Sequence, residues 1–453
     1  MVGGALLMRR LLMVSPHFPP DTTAGTHRVR LLAPHLAARG WEPTVVTVDP
    51  RDYEGRLDPE LAELVPRSLR VVRARAWSAG WTRRFGIGDL GLRAFAGLLG
   101  TCTGLLRREP FDALFVTIYP TYPALLGPIL KSRFGVPFVL DYQDPWVGAW
   151  GLAVGGGAGG SPDLKSRGSR VLGLALEPRA LRAADAITAV SQGTYEQVRS
   201  RHPWVGNRPF AEIPLGVEPA DFDALKGRLR PNPHFDPKDG QVHVCYVGTL
   251  LPLGFETLRA VLGATALLRD REPALYGRLR LHFIGTSNQT APDGQCRVRP
   301  VAEELGVAGV VSEIPPRLDY LDALTVQVQA TAILLLGSSE RHYTASKVYP
   351  ALLAERPILA VYHEASTVVD VLQCAARPPT ARLVTYGDVD RAASRVEDIY
   401  EALAALVRNP VFDPAAMNLD ALQEYSAKSL AGRLASVLDQ AGDRVRDRAR
   451  GSR

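Results

Sequence analysis

Three polar side chains, Asp141, Gln143 and Asp144, follow the short apolar run 138–141 and lead into Pro145 and Trp146. At the carboxyl end of a strand, carboxylates suit sugar hydroxyls and an indole suits the apolar face of a pyranose ring. The competing structural reading has Asp144 closing a turn ahead of Pro145, with Trp146 in the core. A second group lies in the stretch 15–28, which carries His17, Gly25, His27 and Arg28. It is long for a strand-to-helix turn and ends where a helix begins, so it is expected to face a ligand. Lys347 forms the third group with Ser346, at the opening of a helix that Thr344 or Ser346 can cap. A cation in a first helical turn opposes the dipole unless an anion such as a diphosphate sits beside it. A solvated surface lysine is the plain alternative.

Two further patterns carry less. Gly86, Gly88 and Gly91 match a dinucleotide-binding spacing, but residues 77–85 ahead of them are no strand, so a glycine-rich loop is expected. Asp388-Val389-Asp390 looks like a metal-binding Asp-x-Asp. Standing before a helix expected over 391–407, it reads instead as an acidic helix start. Neither histidines nor cysteines cluster at metal-ligand spacing, so no metal and no cofactor are expected. The four cysteines, Cys102, Cys245, Cys296 and Cys374, lie far apart, in keeping with a reducing, cytoplasmic compartment.

The elements that must position these groups alternate along nearly the whole chain. Strands are expected at 11–14, 44–48, 70–74, 113–118, 138–141 and 186–190, with helices between them, the first over 26–38. After pauses at 213–222 and 226–240 the pattern restarts with strands at 242–247, 280–284, 309–313, 332–336, 358–361 and 382–385. The runs are apolar on both faces, as in parallel sheets covered by helices, which makes the chain α/β. Two Rossmann-like domains follow, 1–220 and 221–453, with a C-terminal helix able to cross back to the first. The glycine-rich stretch 155–162 reads as a flexible loop and the charged tail after Asp439 as frayed.

With 453 residues, 46% hydrophobic and 22% charged, the composition is globular. Lys and Arg number 53 against 47 Asp and Glu, a net charge of +6. That modest excess permits anionic ligands or an anionic membrane face and does not indicate nucleic acid. No run is long and apolar enough to span a bilayer, and the N-terminus lacks the pattern of a cleaved signal.

Taken together, these segments resemble the family 4 type of GT-B glycosyltransferases. The resemblance is carried by 14–20 with Gly25, by 141–146, 184–191 and 213–218, and in the second half by 246–250 and 346–359. It implies two Rossmann domains facing across a cleft and metal-independent sugar transfer with retention. A nucleotide-diphosphate sugar would bind the second domain and a lipid-linked or saccharide acceptor the first. On this sequence the donor-binding positions are Gly248, Thr249, Ser346 and Lys347, with Ile314 and Pro315 beside the nucleobase. Some family positions differ. The ribose-holding glutamate aligns with Pro350, its partner acid with His342, and the histidine after the fifth strand with Gln143. The usual basic residue after the Gly248 loop gives way to Leu251, Pro252 and Leu253. These differences keep two other readings open, a catalytically silent GT-B protein that binds a sugar or partner, and a GT-B sugar-nucleotide epimerase.

One further surface bears on the acceptor. Trp77, Trp81, Arg83, Arg84 and Phe85 mix aromatic and cationic groups, and a helix expected over 92–106 ends in Arg107 and Arg108. Such a face suits an anionic membrane presenting a lipid-linked acceptor, which would make the protein peripheral on the inner face. A helix packed on its sheet, with scattered surface arginines, is the alternative.

Overall fold

A computed structural model describes residues 8–147, 164–228, 230–287, 294–339 and 346–451. The chain divides into two units, 1–216 with 427–453, and 217–426. The glycine-rich stretch 155–162, together with His342 and Thr344, lies outside the described residues.

In the first unit seven parallel strands are ordered β3-β2-β1-β4-β5-β6-β7. They are β1 Arg9–Val14, β2 Trp41–Val48, β3 Arg70–Ala74, β4 Ala113–Ile118, β5 Phe138–Tyr142, β6 Ala186–Ala189 and β7 Phe210–Glu212. Sequence reading found the first six; β7 is three half-buried residues with no apolar run to announce it. Successive side chains of a strand face opposite ways. Leu12 and Val14 accordingly join one core, with Ala94, Leu98 and Cys102 of the helix Leu90–Arg108. Leu11 and Met13 join the other, with Val29, Leu32 and Leu36 of the helix Thr26–Leu36.

The C-terminal helix Ala427–Gly451 closes that second face. Leu430, Leu434, Leu438 and Ala441 recur at helical spacing and are fully buried there. Asp439 accepts from the Trp41 indole at 3.0 Å and pairs with Arg9 at 2.6 Å. Arg444 donates to the Asn207 carbonyl at 2.7 Å. The tail expected to fray is therefore a helix through residue 451. Its charges lie along the rim of an apolar stripe, where they pair with the sheet's own edge residues.

In the second unit six parallel strands are ordered β10-β9-β8-β11-β12-β13. They are β8 Val242–Val247, β9 Leu279–Ile284, β10 Val311–Ile314, β11 Ala332–Leu336, β12 Ile358–His363 and β13 Ala381–Tyr386. The strand expected over 309–313 begins two residues late, because a 3-10 turn, Ala308–Val310, precedes it. The Asp388-Val389-Asp390 segment also differs from expectation. A 3-10 turn, Ala392–Arg395, and the helix Val396–Arg408 follow it, and neither has a side-chain cap. Asp388 meets the His363 ring at 3.2 Å and Asp390 lies 3.7 Å from Arg395.

Both sheets reverse strand order once, between β1 and β4 and between β8 and β11. Loops leaving the carboxyl ends of those neighbours part to opposite faces and leave a crevice between them. In the first unit this region is braced by a buried ion pair. Arg28, in the first turns of Thr26–Leu36, grips Asp141 of β5 through Nε at 3.0 Å and Nη2 at 2.5 Å. Its Nη1 donates to the carbonyls of Ile213 and Pro214. Thr188 of β6 donates to Asp141 at 2.6 Å, and the two ionic side chains are only 1% and 0% exposed. Removing one partner strands the other charge in the core. Arg28→Ala and Asp141→Ala are each expected to cost about 3–5 kcal/mol in urea unfolding, and the double variant much less than their sum.

Candidate functional site

The crevice of the first unit is built around the loop that leaves β1. Ser15 donates to the His17 carbonyl at 2.8 Å and fixes the start of the loop. His17 Nδ1 lies 2.6 Å from Asp21 Oδ2, which also accepts from Thr23 at 2.5 Å and Thr26 at 3.2 Å. Burial alone pushes the Asp21 carboxyl up. The bond and charge of His17, with the two hydroxyls, reverse this and hold it below its ordinary range. The His17 ring is stacked on Tyr53 at 6.0 Å and tilted against Tyr119 at 5.5 Å. Tyr119 leaves β4 on the other side of the switch point. It approaches so closely that a Cβ on Gly25 would lie 2.5 Å from its ring. Gly25 is thus a contact glycine, and any side chain there displaces the tyrosine.

Asp89 caps the helix Leu90–Arg108 by accepting from Leu92 N at 2.9 Å. Burial raises its pKa, and the nearby His17 pulls the other way. Trp146 stands edge-on to Tyr122 at 6.4 Å and packs on Gly173. Aromatic rings beside carboxylates at a strand edge make a surface suited to sugar.

The residues expected on this side separate. His17, Gly25 and Trp146 lie at the crevice, and Asp144 is exposed after β5. Arg28 and Asp141 do not take part, since their mutual bonds use them inside the core. His27 accepts from Arg30 Nε at 3.3 Å, and Gln143 Nε2 is buried without a hydrogen bond among the described residues. Sequence reading missed Asp21, Tyr53, Tyr119 and Asp89. The i,i+4 spacing of His17 and Asp21 was the available signal, as was the position of Tyr119 one residue past β4.

In the second unit the crevice lies between the loops after β8 and β11. A shallow depression, open to solvent, is lined there by Thr249, Leu250, Leu251, Gly254, Gly337 and Ser338. Beside it the Lys347 ammonium donates to the Tyr246 hydroxyl at 2.6 Å and the Thr249 carbonyl at 3.0 Å. It also sits 4.2 Å from the centre of the Tyr246 ring. Burial, and then the charge of Arg317, lower its pKa to about 7.

Gly248 holds φ +124°, and a Cβ there would come within 2.5 Å of Lys347 Cε. Its N–H donates to Ile284 O at 2.7 Å, so it is not a donor to an anion. Gly248 contributes by lacking a side chain. The carbonyls of Ile314 and Pro315 accept from Gly285 and Ser287, knitting β9 to the loop after β10. That loop brings Arg317 close, since a Cβ on Gly285 would lie 3.7 Å from Gly248 Cα and 3.8 Å from Arg317 Cα.

The helix after Ser346 and Lys347 is Val348–Leu353, six residues with Lys347 at its cap position and no side-chain cap bond. So short a helix leaves the Lys347 ammonium, rather than a helix dipole, as the main positive group. Sequence reading also missed Tyr246 and Arg317; the latter is a lone arginine in a proline-rich loop with no spacing signal. Among the described residues no three His, Cys, Asp or Glu side chains gather as metal ligands, and no helix is long and apolar enough to cross a membrane.

Residues 23–216 match the glycosyl transferase 4-like domain family. No curated protein matches the chain. Among solved structures it is similar to HepE of Anabaena in complex with UDP and glucose. That match has TM-score 0.56 and 12% identity over 95% of this chain and 99% of that one. It is similar also to an α,α-trehalose-phosphate synthase (UDP-forming) from Burkholderia vietnamiensis, with TM-score 0.59 and 13% identity over 96% and 100%. WaaG, a glycosyltransferase involved in lipopolysaccharide biosynthesis, aligns with TM-score 0.50 and 15% identity over 96% and 98%. The family match covers residues 23–216, in the first unit, while the two-domain GT-B fold is shared with these structures over nearly the whole length of the chain.

Proposed function

We propose that the protein transfers a sugar, with retention and without a metal, from a nucleotide-diphosphate donor held by the second unit to an acceptor held by the first. The observation that carries this reading is Lys347. A lysine lowered to about 7 is held where its charge is costly, and a diphosphate offsets that cost. Arg317, whose charge acts on Lys347, supplies the cation that Leu251 to Leu253 do not. UDP in the HepE complexes and the UDP-forming synthase support a nucleoside diphosphate as the donor's leaving group. Pro350 offers no carboxylate to a ribose, so affinity here rests on the diphosphate more than on the sugar of the nucleoside.

The acceptor reading rests on the aromatic edge of the first unit and on a second surface. Trp77, Trp81 and Phe85 are 52%, 54% and 67% exposed and stand edge to face in a row, with Arg83 and Arg84 among them. Arg93, buried beneath, donates to the Trp77 and Asp52 carbonyls, so the row is anchored. Indoles over an arginine-bearing base fit the interface of an anionic membrane, and with it a lipid-linked acceptor.

A thermal-shift screen with UDP, GDP, dTDP and their sugars tests the donor reading, since specific binding raises stability by mass action. Lys347→Ala is expected to weaken nucleotide-sugar binding about ten- to a thousandfold. In the wild type, affinity for the diphosphate is expected to fall as pH rises above about 7, where the free protein loses the Lys347 proton. Binding near neutral pH should therefore take up protons, measurable by calorimetry in buffers of different ionisation enthalpy. Unchanged binding in a folded Lys347→Ala variant would remove the assignment.

Transfer is expected to survive excess EDTA; strict dependence on manganese or magnesium would point back to Asp388 and Asp390. Liposome flotation addresses the acceptor. Salt-sensitive binding to anionic vesicles should disappear when Arg83, Arg84, Arg107 and Arg108 become glutamate. Equal recovery in the soluble fraction with and without anionic lipid would favour a soluble saccharide.

A further inference from the structure

We propose that the first unit carries a separate anion site, away from its crevice, in which Arg208, Arg444 and Arg448 bind a phosphate-type oxyanion. The three arginines reach one place from distant parts of the chain. Arg208 follows the 3-10 turn Pro203–Asn207 just before β7, and Arg444 and Arg448 stand one turn apart on the helix Ala427–Gly451. Arg444 Nη1 donates to the carbonyl of Asn207, the neighbour of Arg208, at 2.7 Å. Arg448 Nη1 lies 3.4 Å from Asp185, ahead of β6.

Donors in this group outnumber acceptors. Arg208 Nη2 donates to the Arg182 carbonyl at 3.3 Å, while its Nε and Nη1 are shielded from solvent and make no hydrogen bond among the described residues. Arg444 Nε is in the same condition. A guanidinium has five N–H donors and no acceptor, and a buried donor without a partner is costly. Charge points the same way. Asp185 is the acid at hand, and it is already used: both its oxygens lie 2.6 Å from the Lys131 ammonium, and Oδ2 accepts from Phe138 N at 2.9 Å. Burial, then the charges of Arg444 and Arg448, lower the Arg208 pKa against the opposing pull of Asp185. A multiply charged oxyanion offsets the repulsion among the arginines and accepts from the unpaired N–H groups at once.

The plain alternative is that basic residues near a helix C-terminus offset its dipole. That accounts for Arg448, which lies in the last turn. It does not account for Arg208, which belongs to another element and brings two unpaired donors with it. Position separates the group from the crevice. Arg208, Asp185 and Phe138 stand at the amino ends of β7, β6 and β5, whereas the crevice opens at carboxyl ends. A strand of four or five residues puts roughly 13–17 Å between its two ends, so an anion bound here does not reach the crevice. It joins the C-terminal helix to the edge of the sheet instead. Trp204 extends the site outward. Its ring is 39% exposed and lies 5.0 Å from the Arg208 guanidinium and 5.7 Å from that of Arg182. An exposed indole among arginines suits a phosphate in a lipid headgroup as well as a phosphate free in solution.

The test uses the full chain, with inorganic phosphate as the soluble probe and phosphatidylcholine vesicles with or without phosphatidic acid as the lipid probe. Calorimetric titration at constant ionic strength is expected to give a phosphate Kd of about 1 mM or tighter. Arg208→Gln and Arg444→Gln should each weaken it at least about tenfold, whereas Lys347→Ala, in the second unit, should leave it as in the wild type. Phosphate should also raise the urea midpoint of the wild type but not that of Arg208→Gln, so the gap between the two widens as phosphate is added. A structural brace with no ligand would keep that gap constant. Soluble phosphate without effect on the wild type, together with phosphatidic acid flotation lost in both arginine variants, would support the site with a lipid headgroup as its occupant. Wild type and arginine variants behaving alike with both probes, or a phosphate response that disappears with Lys347→Ala instead, would overturn the proposal and leave the cluster as a brace for the C-terminal helix.

Discussion

Arg28 and Asp141 meet where almost no water reaches them, and much of the first unit is arranged around that meeting. The pair ties the helix after the first loop to β5 of the sheet, and through the Ile213 and Pro214 carbonyls to the chain's exit from the unit. Burying two charges is costly unless every polar atom is satisfied, and here Thr188 and two carbonyls complete the set. One consequence reaches the crevice. With its helix pinned at Arg28, the loop from Ser15 to Gly25 has fixed ends, and His17 is held between Tyr53 and Tyr119 rather than swinging over the sheet edge.

Both units solve the same geometric problem with different chemistry. Each sheet reverses its strand order once, and the loops on either side of that reversal leave an opening at the carboxyl ends. In the first unit the opening is walled by aromatic rings and acids; in the second, by glycines and cations. A sugar hydroxyl needs acceptors and ring faces, whereas a diphosphate needs positive charge and close approach of backbone. The residue types at each opening therefore fit the division of labour proposed above, independently of any likeness to other chains.

The fold was largely legible from sequence because a covered parallel sheet demands apolar residues on both strand faces. That requirement marks the inner strands most plainly; the edge strands β3, β7 and β10 are only partly buried, and three-residue β7 has no apolar run at all. The site was less legible, for reasons that differ by residue. Asp141 and Arg28 look ligand-facing in sequence because type and strand-end position do not say which way a side chain points. The core took them because each could satisfy the other. Lys347 stood out since a cation is out of place where a helix starts, although that helix is only six residues long. Arg317 carries no such sign and Tyr119 only its place one residue past β4, as their proximity to Lys347 and His17 arises from strands far apart in sequence. The C-terminal tail looks frayed in sequence because its charges are more conspicuous than the leucines spaced among them.

The contrast between the two cations of the second unit explains how a site can change residues and keep its chemistry. Where the resemblance places a basic residue, the chain has Leu251, Pro252 and Leu253, but a positive charge need not come from one particular loop. Coulomb attraction depends on distance and local dielectric and is indifferent to the element that carries the charge. The loop after β10 lies beside Gly248 and Gly285, both too small to hold it away, so Arg317 comes near Lys347. Two like charges this close, with one of them desolvated, disfavour the charged lysine while the site holds no anion, which is the cause of its lowered pKa. An anion reverses the sign of that interaction for both at once. The same strain that makes Lys347 titrate near neutrality therefore favours a multiply charged ligand over a neutral one, and a ribose-binding glutamate is not required for that preference.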